Sequence, residues 1–498
     1  MPKLCLAVLL TAALSPCLRA QAPTPAQVPA PLPPTAVSRY VKVPAAPLLL
    51  LEHVRIIDGT GAGPLEDQTI TIEDGKIASI GKTPSTPGHA PAVHLDLTGR
   101  TVIPGIVGMH DHMYGIARPN ADAEGHAEPP LVIPQLTFTS PHLYLGAGVT
   151  TLRTTGSVEP YTDLNLKQQI DAGKLPGPHM DVTAPYLEGA SSPFIQMHQL
   201  RDAEDARATV DFWAAQGATS FKAYMNITRA ELKAAIDQAH KHGLKLTGHL
   251  CSVTYPEAAE LGIDNLEHGF FVNTQLDPNK QPDICPPTVG GPTLARMTPG
   301  SPEANALIHL LVQHHVALTS TLPVFESSDP RHLKLQPRVL ETMSPPTREA
   351  YLYTRNLELS RTSQAGAIDR AQNFRNGMAL ERAFVAAGGL LLAGPDPTGD
   401  GGTLPGFGDQ REIELLVDAG FTPVEAIHTA TLNGATYLGR DKFIGSVAPG
   451  KNADLVVLRG NPAQNINDIE NTEIVFKDGV GYDSQKLLDS AKGRYGQY

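Results

Sequence analysis

The chain has 498 residues, 41% of them hydrophobic and 18% charged, with a formal net charge of −12. That length supports a large core and more than one folding unit, and the composition excludes a disordered, collagenous or coiled-coil chain. An acidic chain with no basic run is a poor partner for nucleic acid or an anionic membrane, and nothing in it reaches the run of about 18 apolar residues that spans a bilayer stably.

Met1 to Ala20 reads as a secretory signal: Lys3 gives the positive end, Leu4 to Leu14 the apolar stretch, Ala20 the cleavage point. Residues 21–46 are rich in Pro and Ala and read as an extended tether. The expectation is an exported protein, periplasmic or extracellular. Cys5 and Cys17 leave with the signal, and Cys251 and Cys285 remain. An oxidising compartment permits a bond between them. With no CxxC, any metal must be held by His and carboxylates.

Residues 47–103 are strand-like. Leu49-Leu50-Leu51, Val54-Arg55-Ile56-Ile57 and Thr69-Ile70-Thr71-Ile72 are short β-branched or alternating runs, broken by Asp58-Gly59 and Asp74-Gly75-Lys76 turns. Residues 439–485 repeat the style in Ala453 to Leu458 and Ile474 to Gly479. Neither end alone can bury a core, so the economical arrangement is one small β-sandwich built from both termini, followed by a tail at 486–498.

Between them, residues 104–438 alternate strand and helix. Thr228 and Glu231 have capping-box spacing. Leu232, Ala235, Ile236 and Ala239 share a helical face, Gly243 ends the helix, and Leu244 to Leu250 alternates as a strand. The unit recurs through Gly148–Thr155, Ala218–Met225, Gly262–Gly269, Val316–Leu322 and Gly389–Gly394. This rhythm predicts an α/β fold, a (β/α)8 TIM barrel, with a doubly wound open sheet as the alternative. No GxGxxG or GxxxxGK[ST] closes a strand, which weighs against nucleotide binding. Phe270 to Ser301 and Pro323 to Ala371 read as long polar connections on the barrel face that carries active sites.

Five predicted strands end in a metal-competent side chain. In Gly105-Ile106-Val107-Gly108-Met109-His110-Asp111-His112 the two imidazoles share a face and Asp111 points away. Alone, such a pair also arises by chance. In Ser220-Phe221-Lys222-Ala223-Tyr224, Lys222 shares its face with Ser220 and Tyr224; a Lys aimed into a barrel is costly unless paired or neutralised, and the bland reading is a chain that reaches solvent. His249 follows Lys245 and Thr247 on a polar face, His268 closes Asn265-Leu266-Glu267-His268-Gly269, and Asp396 closes Ala393-Gly394-Pro395-Asp396-Pro397. Each can be read blandly as a core His or a capping Asp. All five at strand ends, in this order, are a far rarer pattern.

This set resembles the amidohydrolase superfamily of metal-dependent hydrolases, and within it the imidazolonepropionase-like and prolidase-like branch. Thr101 to Gly105, Leu261 to Gly269 and Gly445 to Asp454 carry the same likeness, which covers Leu48 to Tyr482. The resemblance implies two divalent ions, Zn2+ first among them. His110, His112 and Asp396 would hold the more buried ion, His249 and His268 the second, with Lys222 carboxylated by CO2 as the bridge. It implies metal-activated hydroxide attacking a C–N bond of a small substrate such as a dipeptide or N-acyl amino acid, with Asp396 as the catalytic acid–base.

Three further residues are candidates for substrate contact: Tyr224 as an oxyanion donor, with core packing as the other reading; Arg153 as a carboxylate grip, with a structural ion pair as the favoured reading; and His198 as a pocket-lining group. His126 and His142 are placed near the mouth. The alternatives are a lactone or cyclic-amide hydrolase on the same site, and a catalytically dead barrel used as a binding protein. The expected partner is a small molecule or short peptide. The branch also implies a homo-oligomer, as a dimer or larger ring.

Overall fold

The architecture is a computed structural model that describes residues 36–82, 92–115, 132–192, 194–326, 335–362, 369–399 and 401–497. The expected signal at 1–20, most of the tether and His126 lie outside the described residues.

The strands in chain order are β1 (Val41–Val43), β2 (Leu48–Ile56), β3 (Leu65–Glu73), β4 (Lys76–Gly81), β5 (Val93–Asp96), β6 (Arg100–Pro104), β7 (Ile106–Asp111), β8 (Val149–Thr154) and β9 (His179–Asp181), then β10 (Ser220–Ala223), β11 (Lys245–Gly248), β12 (Asn265–Glu267), β13 (Ala317–Ser320), β14 (Leu391–Ala393), β15 (Leu455–Arg459), β16 (Thr472–Lys477) and β17 (Val480–Asp483).

The two ends of the chain share one hydrogen-bonded sheet in the order β1-β17-β16-β15-β6-β2-β3-β4, with β5 added beside β2. Its joint is the antiparallel pair β15–β6, in register from Leu455 opposite Pro104 to Arg459 opposite Arg100. Leu49, Leu51, Val54, Val102, Leu455, Val457, Ile474 and Phe476 bury one another there. Each such side chain contributes roughly 1.5–3 kcal/mol by leaving water. The tether's last residues are therefore structured, since Val41–Val43 pairs with β17.

The middle of the chain forms two parallel sheets, β7-β8-β9 and β10-β11-β12-β13-β14. Isolated parallel bridges, Thr183 to Ser220 and Leu187 to Ala223, connect the chain after β9 to β10. At the other side the amide of Asp396, just past β14, donates to the carbonyl of His110 in β7 at 3.0 Å. The approach is close: a Cβ on Gly394 would lie 2.2 Å from the His110 amide nitrogen, so only glycine fits.

The local rules hold where they are strongest. The helix Arg229–Lys241 is capped by Thr228, whose side chain accepts from the Glu231 amide while Glu231 reaches back. Its buried face is Leu232, Ala235, Ile236 and Ala239. Phe221, Leu246, Leu266 and Leu318 face this helix layer from the strands and join it in one core.

Two expectations are corrected. Much of Pro323–Ala371 is helical rather than a polar connection, with helices Pro337–Thr342 and Pro345–Thr362. The residues read as a tail begin in the helix Ser484–Ala491, which buries Leu487 and Ala491 against the helix Thr139–Gly146. Cys251 and Cys285 are joined by a disulfide. Among the described residues no helix is long and apolar enough to cross a membrane.

Candidate metal centre

The C-terminal ends of the parallel strands bring six side chains together. β7 delivers His110 and, one residue past its end, His112. β10 delivers Lys222, and the residues just past β11, β12 and β14 deliver His249, His268 and Asp396. Strand alternation aims Lys222 inward and turns Phe221 into the hydrophobic core. His268 and Asp396 both hold left-handed backbone, φ 69° and 49°. Such strain at two non-glycine residues is kept only where the surroundings over-determine it, commonly at functional sites.

The geometry is tight. Ring centroids of His110 lie 5.3 Å from His112 and 4.6 Å from His268, and His249 lies 4.4 Å from His268. Asp396 Oδ1 is 3.1 Å from His112 Nε2 and 3.7 Å from His110 Nε2, and Oδ2 is 3.8 Å from His268 Nδ1. Thr398 donates its hydroxyl to Oδ1. Lys222 Nζ is 3.1 Å from His110 Nε2 and donates to the Thr155 carbonyl at 3.1 Å.

Electrostatics prepare the donors. Burial, and then Lys222, holds His110 below the usual imidazole range; burial lowers His112 to about 4 and also lowers His249 and His268. Burial alone would raise Asp396, but His110, His112 and His268 outweigh it and hold the carboxyl well below its usual range. Burial lowers Lys222 to about 8, against the opposing pull of Glu267 and Asp396.

The result is four neutral imidazoles, an ionised carboxylate and an easily deprotonated amine. His112 Nδ1 and His268 Nε2 are buried with no hydrogen-bond partner. Ligand atoms of His110, His268 and Asp396 all lie within 4.8 Å of one another. Nitrogen and oxygen donors with unused lone pairs, buried together, fit a divalent cation such as zinc.

Around this cluster lies a group the sequence reading did not assign. Glu267 is fully buried. Its Oε2 sits 2.7 Å from His110 Nδ1, which fixes that nitrogen as the donor and leaves Nε2 facing the cluster. Its Oε1 accepts from Arg153 Nη2 at 2.7 Å, from Asn265 at 3.1 Å and from the Thr247 hydroxyl. Burial would raise Glu267, but Arg153 and His110 hold it below its usual range.

Of the two readings of Arg153, the structure shows the ion pair. Its guanidinium is buried and is taken up by Glu267 and by the Met109 carbonyl, so it supports the cluster from behind. His198 is half-exposed and pairs with Asp205 in the first turn of the helix Ala203–Gln216, at 3.0 Å; no contact joins it to the cluster among the described residues. His142 packs against Tyr40 and Phe138 and meets Ser490 at 2.7 Å, outside the cluster. Tyr224 does lie beside it, edge-on to His249 at 5.0 Å. Tyr114, stacked on His112 at 4.4 Å, and Tyr186, whose hydroxyl meets that of Tyr114 at 2.5 Å, complete an aromatic wall that the sequence reading missed.

Parts of the chain are similar to known proteins. The amidohydrolase family matches residues 394–480. Adenine deaminase 1 of Jannaschia sp. (strain CCS1) is 41% identical over 49 residues, 10% of this chain, and the chain covers 8% of that protein's length. A solved Xaa-Pro dipeptidase with bound methionine in its active site superposes with a TM-score of 0.63 at 19% identity, covering 88% of this chain and 100% of that one. Bottromycin amidohydrolase superposes with a TM-score of 0.65 at 21% identity, covering 92% of this chain and 93% of that one. The match to the amidohydrolase family is thus confined to residues 394–480, while the two solved structures share this chain's fold over most of its length.

Proposed function

We propose that the chain is an exported two-metal hydrolase that cleaves the amide bond of a small substrate, a dipeptide or N-acyl amino acid. The observation that carries this reading is the convergence of His110, His112, Lys222, His249, His268 and Asp396 from five strand ends into one buried cluster. In this reading β7 to β14 close as a (β/α)8 barrel over residues 104–438, and residues 47–103 and 439–485 form the β-sandwich. The bridges after β9 and the Asp396–His110 backbone bond support closure. The Cys251–Cys285 bond supports an oxidising compartment, hence export.

His110, His112 and Asp396 would hold one cation and His249 and His268 the other. Two such cations acidify a water molecule and polarise the carbonyl it attacks. The remaining chemistry belongs to the chain. Lys222, once its ammonium has lost a proton to solvent, would add through Nζ to the carbon of CO2 and lose a second proton, leaving a carbamate whose oxygens could serve as ligands in place of a buried cation. Glu267 holds the His110 tautomer and orientation. Asp396 accepts the proton of the attacking water on a carboxylate oxygen and returns it to the leaving nitrogen. Tyr224, edge-on to His249, would donate its hydroxyl to the developing oxyanion. The names of the similar proteins, a dipeptidase, an amidohydrolase and a deaminase, favour carbon–nitrogen bonds as the target.

The test is a screen of the purified full chain, loaded with Zn2+, against dipeptides, N-acyl amino acids and lactones. The expected result is amide cleavage that stops with a chelator and returns with Zn2+. Lactone hydrolysis without amide cleavage, or amide cleavage indifferent to the chelator, contradicts the proposal.

A further inference from the structure

A second set of ligand-type side chains lies away from the cluster. His179 opens β9, whereas the six residues above sit at the opposite, C-terminal ends of the parallel strands. Asp454 stands immediately before β15, and Asp478 occupies the turn between β16 and β17 with φ 51°. One ligand atom from each lies within 4.8 Å of the other two.

The positions are firmly set. The Asp478 amide donates to Asp454 Oδ1 at 2.7 Å, and the Asp454 carbonyl accepts from the Gly105 amide at 2.8 Å. Asp171 Oδ1 lies 3.9 Å from the other ring nitrogen, His179 Nδ1.

Asp454 is 4% exposed, and its Oδ2 is buried and unbonded. His179 Nε2 is buried as well and forms an ion pair with Asp478 Oδ2 at 2.9 Å. A buried carboxylate oxygen with no donor, as at Asp454 Oδ2, is costly unless something satisfies it. A proton on His179 would serve one neighbour at a time. A cation would take all three lone pairs at once. Lys477 is buried close by, and Asp478 and Asp454 are among the charges that oppose its desolvation, so part of the negative charge is already offset. Asp478 is half-exposed, which leaves a side open for water to complete the coordination.

We propose that His179, Asp454 and Asp478 form a divalent-cation site, separate from the catalytic cluster, that ties β9 to the sheet built by the two termini. One nitrogen and two carboxylates with an open position suit zinc or a similar borderline ion. The role is structural: the ion bridges strand β9 and the loops that flank β15 and β16.

The test compares the full-length protein with His179→Gln and Asp478→Asn. Each is loaded with Zn2+, desalted, and assayed for bound metal and for the rise in melting temperature that Zn2+ gives. The wild type is expected to carry one molar equivalent of zinc more than either variant and to gain more in melting temperature. Both variants should keep kcat/KM within about twofold, since neither residue touches the cluster. Asn accepts positive φ, so Asp478→Asn decides the matter if His179→Gln fails to fold. Equal zinc content in wild type and Asp478→Asn overturns the site and leaves a hydrogen-bonded ion pair only. Because the reading is a difference between proteins, it does not depend on how many ions the catalytic cluster holds.

Discussion

Asparagine at position 396 lowers kcat/KM by about 10²–10⁴-fold, the range expected for loss of a positioned acid–base group, while the protein keeps its fold. The substitution removes charge and little else. Asp396 holds φ 49°, a conformation asparagine adopts readily. Its neighbours at hydrogen-bond distance, His112 Nε2 and the Thr398 hydroxyl, still meet an amide of the same shape. What disappears is the carboxylate that the imidazoles of His110, His112 and His268 hold ionised, and with it the proposed cation ligand and acid–base group. Steady-state kinetics on the substrate found in the screen, with circular dichroism and a thermal melt on the same samples, check this. Near wild-type turnover by Asp396→Asn rules out the acid–base assignment.

The second large effect belongs to Glu267, and it is one of stability first. The carboxylate is shared between Arg153 and His110 with no solvent access to any of the three. Taking away one partner of such a pair leaves an uncompensated buried charge, at a cost of roughly 3–5 kcal/mol. Glu267→Gln should therefore melt at a clearly lower temperature than the wild type. It should also lose cations more readily, because His110 no longer has an anionic acceptor behind it; outer partners of this kind are worth about 10–100-fold in metal affinity. Arg153→Met added to Glu267→Gln should recover part of the stability, since the orphaned guanidinium goes too, but not the metal affinity. Thermal melts of the two single variants and the double variant, with metal dissociation followed by a chromogenic chelator, separate the two effects. Single variants that melt like the wild type contradict the buried-pair account.

How much of this was legible in the sequence depended on the distance over which the physics acts. The Thr228–Glu231 cap is a three-residue relation, and its helix lies where the spacing placed it. The six cluster residues could be named because each ends a strand, so one architectural assumption supplied all their long-range contacts. Arg153 and Glu267 are 114 positions apart, and only the folded chain brings them together. A signal for Glu267 did exist: Asn265 and Glu267 stand two apart on a buried strand, so they share one face and both need polar partners. A charged residue on another strand, such as Arg153, was the natural candidate.

The helices at 337–362 were hidden by their own prolines. Pro337 and Pro345-Pro346 each sit at a helix start, where the missing N–H costs nothing, although proline inside a segment argues against a helix. β9, at three residues, is too short to show a period. Tyr114 and Tyr186 lie outside regular elements, so no repeat pointed to them.

The most direct measurement is anomalous scattering from crystals of the zinc-loaded full-length protein. The account predicts two zinc peaks inside the cluster, one against His110, His112 and Asp396 and one against His249 and His268, with density extending from Lys222 Nζ between them. An empty cluster, with Lys222 a plain amine bonded only to protein, would contradict it.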